Sequence, residues 1–264
     1  MKRRTFLPAA AAASAGAAGL SAAQGGAAAS RHIIELRRYQ LRTNADNQNQ
    51  RLSEFLGKVY FPAIQRAGAA TTSAFGSVIA EQSPFVMTAV SYPSMAAYAQ
   101  AHEKIAMDAE YAKASDTYFK TPGLAFMRIE NSLLRGFRTM PSVEVPSNEG
   151  RTAPRVFELR VYESNNPETL ARKIKMFDEG EIDIFRRTGL QPVFFGETIV
   201  GRNMPNLTYL LAFDDLAARE KNWRTFVSHP DWKKLAATPG YADAEIVSNI
   251  SNAILRPLAF SAIR

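Results

Sequence analysis

The chain has 264 residues, 46% of them apolar, enough to bury a sizeable core in one large domain or two small ones. It contains no cysteine, which excludes disulfides, thiolate metal sites and cysteine nucleophiles. The net charge of +7 falls to +4 when Lys2, Arg3 and Arg4 are set aside, because 29 basic then face 25 acidic side chains. Those charges are interspersed instead of forming a stripe, so no nucleic-acid partner is expected.

The first segment is an export signal by composition. Met1 to Arg4 is basic, Arg3-Arg4-Thr5-Phe6-Leu7 follows, and an alanine-rich run extends to about Leu20. Paired arginines ahead of a weakly hydrophobic stretch resemble the twin-arginine (Tat) motif, which directs export of folded proteins. Residues 1–29 are expected to be this signal peptide, cut within 23–30 after small residues such as Ser21-Ala22-Ala23 or Ala27-Ala28-Ala29. The Tat translocase is then a transient partner and the periplasm or the exterior the destination; an ordinary Sec signal is the alternative and also gives export. The run is short for a membrane span and no cysteine is available for a lipid anchor, so no stable membrane anchor is expected.

The next segment, 31–138, reads in order as a strand from Ile33 to Leu41, a helix from about Asp46 to Ala67, and strands near Thr72 to Ile79 and Phe85 to Tyr92. Helical sequence from Ser94 to Phe119 and a strand around Phe126 to Arg135 complete it. Pro62 predicts a kink in the first helix. Residues 139–154, with Pro141, Pro146, Gly150 and Pro154 among polar residues, read as a linker. The remainder, 155–264, repeats the layout. A strand spans Arg155 to Tyr162, then Asn166-Pro167 starts a helix carrying Leu170, Ile174, Phe177 and Ile184, which Gly189 ends. Strands at Val193 to Val200 and Leu207 to Phe213 follow, with helical sequence from Asp215 through Lys234 and a strand from Ala244 to Leu255.

The two segments are copies. Ile34-Glu35-Leu36-Arg37-Arg38-Tyr39 matches Phe157-Glu158-Leu159-Arg160-Val161-Tyr162 at a displacement of 123 positions (35 to 158). Gly68 pairs with Gly189, Phe75-Gly76 with Phe195-Gly196, and Asn131-Ser132-Leu133-Leu134-Arg135 with Asn252-Ala253-Ile254-Leu255-Arg256, all near a displacement of 121. Each copy has the order β-α-β-β-α-β, the ferredoxin-like pattern, so the fold class is α+β with two tandem ferredoxin-like units. Two such units can bury the bare faces of their sheets together in a barrel-like enclosure within one molecule. A homo-oligomer in which each half pairs outward is the competing arrangement.

The Glu-Leu-Arg-x-Tyr opening strand, the Gly-terminated first helix, the His229-Pro230-Asp231-Trp232 element and the Ile254-Leu255-Arg256-Pro257-Leu258 ending resemble a NIPSNAP domain. The second copy matches better; the first has Asp108-Ala109-Glu110-Tyr111 and Gly136 at the corresponding places. The resemblance implies a dimeric α/β-barrel fold and no particular reaction.

Strand alternation supplies the sharpest chemical expectation. Ile34 and Leu36 share one face of the first strand, and Glu35, Arg37 and Tyr39 the other; Glu158, Arg160 and Tyr162 repeat the second row. With the apolar set turned to the helices, both Glu-Arg-Tyr rows would point into the enclosure, as binding groups for a polar or amphipathic small molecule or for proton transfer. Mutual neutralisation of Glu and Arg in a purely structural role stays open beside it.

His102, in helical sequence and equivalent to Trp223, is a secondary candidate, with half-buried packing as its alternative. His32 is expected to be exposed, and His229 to cap a helix. No histidine pair has metal-ligand spacing and no cofactor is expected. Gly-x-Ser-x-Gly and phosphate-loop signatures are absent from the sequence. Trp223, Phe226, Trp232 and Leu235 form a core stripe. Three functions stay open: a small-molecule binding protein or cofactor-independent enzyme, a noncatalytic oligomerisation module, and a haem- or metal-dependent oxidoreductase.

Overall fold

The computed structural model describes residues 30–43 and 47–264; the expected signal peptide and the start of the first helix at Asp46 lie outside them. The first half contains β1 (Ile33–Gln40), α1 (Gln48–Phe55), a π-helical turn (Leu56–Tyr60) and α2 (Phe61–Ala67). It continues with β2 (Thr71–Ile79), β3 (Phe85–Tyr92), α3 (Met95–Ala106), α4 (Ala109–Lys120) and β4 (Arg128–Gly136). The second half repeats this as β5 (Val156–Glu163), α5 (Pro167–Met176), a π-helical turn (Phe177–Glu181), α6 (Ile182–Arg187), β6 (Gln191–Val200) and β7 (Asn206–Phe213). Helices α7 (Leu216–Ser228), α8 (Pro230–Ala236) and α9 (Asp243–Ile246) precede β8 (Asn249–Pro257).

Local chemistry explains most boundaries. Asn166 and Thr169 form a reciprocal capping box at α5, with Pro167 in the first turn where its missing N–H costs nothing. His229 does cap α8, its Nδ1 accepting from the Asp231 backbone N–H at 3.2 Å. Gly189 adopts φ +83° after α6, a conformation that favours glycine. The last strand starts at Asn249, later than expected, because Asp243–Ile246 turns as a short helix. The π-helical turns fall 121 positions apart, so the irregularity belongs to the repeat itself. In the first half it ends next to Pro62, where the kink was expected.

Each half forms a four-stranded sheet, β4-β1-β3-β2 and β8-β5-β7-β6, and the two join edge to edge through β2–β8 and β4–β6. The result is one closed antiparallel eight-stranded barrel made within a single chain. Closure satisfies every sheet edge, the groups that would otherwise recruit another chain.

The orientation of the strands reverses the expected one. Ile34, Leu36, Phe157 and Leu210 point into the barrel, where they pack with Phe75, Leu134, Phe194 and Leu255. The Glu-Arg-Tyr rows point outward, under the helices. Eight strands leave an interior just wide enough to be filled by side chains or to hold one small ligand. Filling its base with apolar groups gains about 1.5–3 kcal/mol for each fully buried large side chain. An unpaired Glu or Arg there would instead be stripped of water. The helices supply the partners that the barrel interior lacks.

Outside the barrel, Leu52, Leu56, Tyr60 and Ile64 pack on Tyr39, Val90 and Tyr92 in the first half. Phe177, Phe185 and Phe226 pack on Tyr162, Phe195 and Tyr209 in the second. The chain between β4 and β5 crosses one end of the barrel, held by His32 N–H to the Pro141 carbonyl and Glu144 N–H to the Val193 carbonyl, both 2.8 Å. Val143 and the buried Ile263 close that end. His32 is half-buried beneath this crossing instead of exposed, and burial lowers its pKa. The opposite end is framed by the β2–β3 and β6–β7 turns.

Candidate functional site

The six residues singled out from sequence assemble into two clusters, one beneath each half's helices, and not into a common pocket between the rows. In the first, Glu35 is 1% exposed. Its Oε1 accepts from Arg37 at 2.6 Å and Asn131 at 2.9 Å, and its Oε2 accepts from the Tyr92 hydroxyl at 3.2 Å. His102 Nε2 lies 3.4 Å from Oε2. Burial alone would raise the Glu35 pKa; His102, Arg37 and Asn131 together outweigh it and hold the carboxyl at about 2. Tyr39 is buried edge-on against Phe126, and burial raises its pKa. Half-buried His102 packs at a tilt against Tyr98, with ring centroids 4.4 Å apart and ring planes inclined by 54°.

In the second cluster Glu158 is fully buried. Arg219 grips both of its oxygens at 2.6 and 2.9 Å, Arg160 and Asn252 donate to Oε1 at 2.8 and 2.9 Å, and Trp223 Nε1 donates to Oε2 at 2.8 Å. Against the burial that would raise it, these donors keep the Glu158 pKa low. Arg160 also donates to the Tyr162 hydroxyl at 3.2 Å and lies 4.6 Å over the Trp223 ring. All the acceptor capacity of Glu158 is spent on fixed donors, so its role is to clamp α7 to the sheet.

Sequence reading missed a further cluster. Lys173 and Glu181 are 1% and 2% exposed, with Nζ 3.2 Å from Glu181 Oε2 and 3.2 Å from Asp243 Oδ1. Tyr162, Phe177 and Trp232 surround the ammonium at 5.1–5.6 Å from their ring centroids. Burial raises the Glu181 pKa to about 7 against the opposing charge of Lys173. The available signal was a lysine between Leu170 and Phe177, on the apolar face of its helix.

The open end of the barrel holds the second missed feature. A cavity of about 180 Å³ adjoins another of about 120 Å³, and the two share Arg38, Met87, Leu159 and Val161 in their walls. Phe85, Met87, Leu159 and Val161 make one side apolar. Thr198, Asn206 and Thr208 make the other polar, the two hydroxyls donating to Asn206 Oδ1 at 2.6 and 3.2 Å. At the rim, Glu130 accepts from Arg128 at 3.0 Å and Arg202 at 2.7 Å. Duplication makes the contrast legible: Phe85 and Met87 are the register mates of Asn206 and Thr208, and Arg38 is the mate of Val161. A larger hollow of about 450 Å³ lies outside the barrel near Pro154, Pro257 and Ala259. It is a groove against the interhalf crossing, and its Arg151 is already paired with Asp214, so the mouth is the better-built site.

Residues 157–262 match the NIPSNAP family. The NIPSNAP match therefore covers the second half, from β5 through the tail beyond β8. Among solved structures, the chain is similar to a putative monooxygenase from Lactobacillus acidophilus NCFM, with 11% identity, TM-score 0.55, and coverage of 86% of this chain and 94% of that one. A putative monooxygenase from Fusobacterium nucleatum subsp. nucleatum ATCC 25586 gives 9% identity, TM-score 0.55, and coverage of 87% and 93%. An uncharacterized NIPSNAP-like domain protein from Burkholderia xenovorans gives 22% identity and TM-score 0.36, covering 40% of this chain and 88% of that one. At these identities the two full-length likenesses establish the fold alone. No curated protein matches the chain.

Proposed function

We propose that the chain is an exported tandem NIPSNAP protein that binds one small amphipathic molecule in the mouth of its barrel. The observation that carries this reading is the two-sided cavity, apolar along Met87, Leu159 and Val161 and polar along Thr198, Asn206 and Thr208, inside a barrel whose other end is closed. The NIPSNAP match of the second half, with the internal duplication, supports extending the family to the first. The Glu-Arg-Tyr rows then serve as scaffold, holding the helices to the outside of the barrel that shapes the site.

Native mass spectrometry of gently purified full-length protein tests this directly. A noncovalent small-molecule adduct is expected, and it should be lost from a Leu159→Trp variant whose circular dichroism is unchanged. An adduct retained by that variant would place the ligand elsewhere. Export is tested by N-terminal sequencing of protein recovered from the periplasm of a bacterial host: a start within 23–30 is expected, and a start at Met1 would overturn it.

A further inference from the structure

Arg38 is the charge that points from the barrel wall into the mouth. It shares the inward phase of β1 with Ile34 and Leu36, so the strand places a guanidinium where the second half has Val161. Its Nη2 donates to the carbonyls of Glu81 at 2.7 Å and Gln82 at 3.2 Å, and to Gln40 Oε1 at 3.3 Å. These are neutral acceptors. Its Nε is buried without a hydrogen-bond partner, and its Cζ lies 4.0 Å from the centroid of Phe85. Among the described residues no carboxylate approaches Arg38 within ion-pair distance, because Glu130 is taken by Arg128 and Arg202. Glu163, at the far rim, accepts from Asn203 and Asn249. Glu81, exposed on the β2–β3 turn, lines both cavities, and it and Glu130 act on Arg38 only through space.

A permanent cation with no ion-pair partner among the described residues, beside an apolar wall, is the complement of an anionic head with a short apolar body. We infer that the ligand of the mouth is a small amphipathic carboxylate, its head on Arg38 and its body along Met87, Leu159 and Val161. This rests on the reading of the mouth as a binding site and adds the class of molecule. The carboxylate accepts charge-assisted hydrogen bonds from Nη1, which makes none among the described residues, on a fork already oriented by Phe85 and the turn carbonyls. The combined cavities are small, which suits a short chain or a single ring.

Titration calorimetry on the full chain with hexanoate, hexan-1-ol and hexylamine separates the claims. Hexanoate should bind roughly tenfold or more tightly than the alcohol, hexylamine most weakly, and the hexanoate affinity should fall with added salt while that of the alcohol does not. Arg38→Gln should reduce hexanoate to the affinity that hexan-1-ol shows for the same variant. The salt series on the wild type decides the matter should that variant fold poorly. Equal binding of acid and alcohol with no salt dependence would overturn the carboxylate assignment and leave the mouth as an amphipathic site. Absence of binding by all three probes, with no adduct on natively purified protein, would overturn the binding site itself.

Discussion

Both halves build the same core beneath their helices: a glutamate and an arginine two apart on the opening strand, with an asparagine from the closing strand. They complete it differently. Around Glu35 Tyr92 of β3 and His102 of α3 complete it; around Glu158 the equivalent positions are Phe213 and Trp223, and Arg219 stands in the place of Tyr98. On the other helix of the layer, Leu52 and Tyr60 of the first half become Lys173 and Glu181 in the second. The first half therefore ties its carboxylate with titratable groups and keeps the neighbouring helix apolar. The second saturates its carboxylate with permanent donors and buries an extra ion pair. Duplication preserved the backbone and the Glu-Arg-Asn centre, while the helix-facing shell diverged because any donor set that satisfies the carboxylate is sufficient.

That comparison can be broken most forcefully at the buried pair. Lys173→Leu alone should cost about 3–5 kcal/mol at pH 8, where Glu181 is charged and loses its main compensation in a dry environment. The double variant Lys173→Leu with Glu181→Tyr, which writes the first half's residues into the second, should return to within about 1 kcal/mol of wild type. Urea unfolding measures both, and a double variant no better than the single one would show that the pair is indispensable to this half.

Next in size, about 3 kcal/mol each, are two opposite pH dependences. The Glu35 carboxyl is held at about 2, below its ordinary 4.5, so its contribution is full above about pH 4.5 and is lost as pH falls toward 2. The Glu181 carboxyl is raised to about 7, so the folded state binds the extra proton; its contribution is full below about pH 4.5 and is lost as pH rises to 7. Stability measured across pH 2–8 should lose part of its acid slope in Glu35→Gln and gain a flatter stretch between pH 4.5 and 7 in Glu181→Gln. The same slope in both variants would contradict the assignment.

Smaller effects test the seams. A Cβ at Gly196 would sit 2.7 Å from Leu134 Cβ across the β4–β6 closure, whereas at its mate Gly76 the nearest atom is 3.8 Å away. Gly196→Ala should cost about 1–3 kcal/mol and Gly76→Ala within about 0.5 kcal/mol, as read from denaturant midpoints. The least is expected at the helix caps. Asn166→Ala should cost about 1 kcal/mol through loss of the capping box. Asn47, at φ 48° with no side-chain cap bond, should accept glycine with a change of a few tenths of a kcal/mol.

Much of the molecule was legible from sequence for reasons that are local. Alternation in Ile33–Gln40 and Val156–Glu163, the Asn166-Pro167 helix start, the glycine after α6 and the capping His229 all act within a few residues, so their signals survive without tertiary context. The site was less legible. Period-two alternation separates Ile34 and Leu36 from Glu35, Arg37 and Tyr39 but carries no sign, and both faces of these strands are buried. Arg38 showed the same ambiguity: adjacent to Arg37 in sequence, it faces the opposite side of the sheet.

By itself, then, the sequence determined the order of elements, the duplication and which side chains share a face, since each follows from short-range periodicity and caps. The tertiary structure alone decided which face became the inside. Edge-to-edge closure leaves a narrow interior that apolar side chains can fill, while on the outer face neighbouring strands and the covering helices together bring the donors that Glu35 and Glu158 require. Closure likewise brings Arg38 of β1 opposite Val161 of β5 and Thr208 of β7, more than a hundred residues away in the chain, and so creates the one polar-and-apolar mouth proposed to bind a ligand.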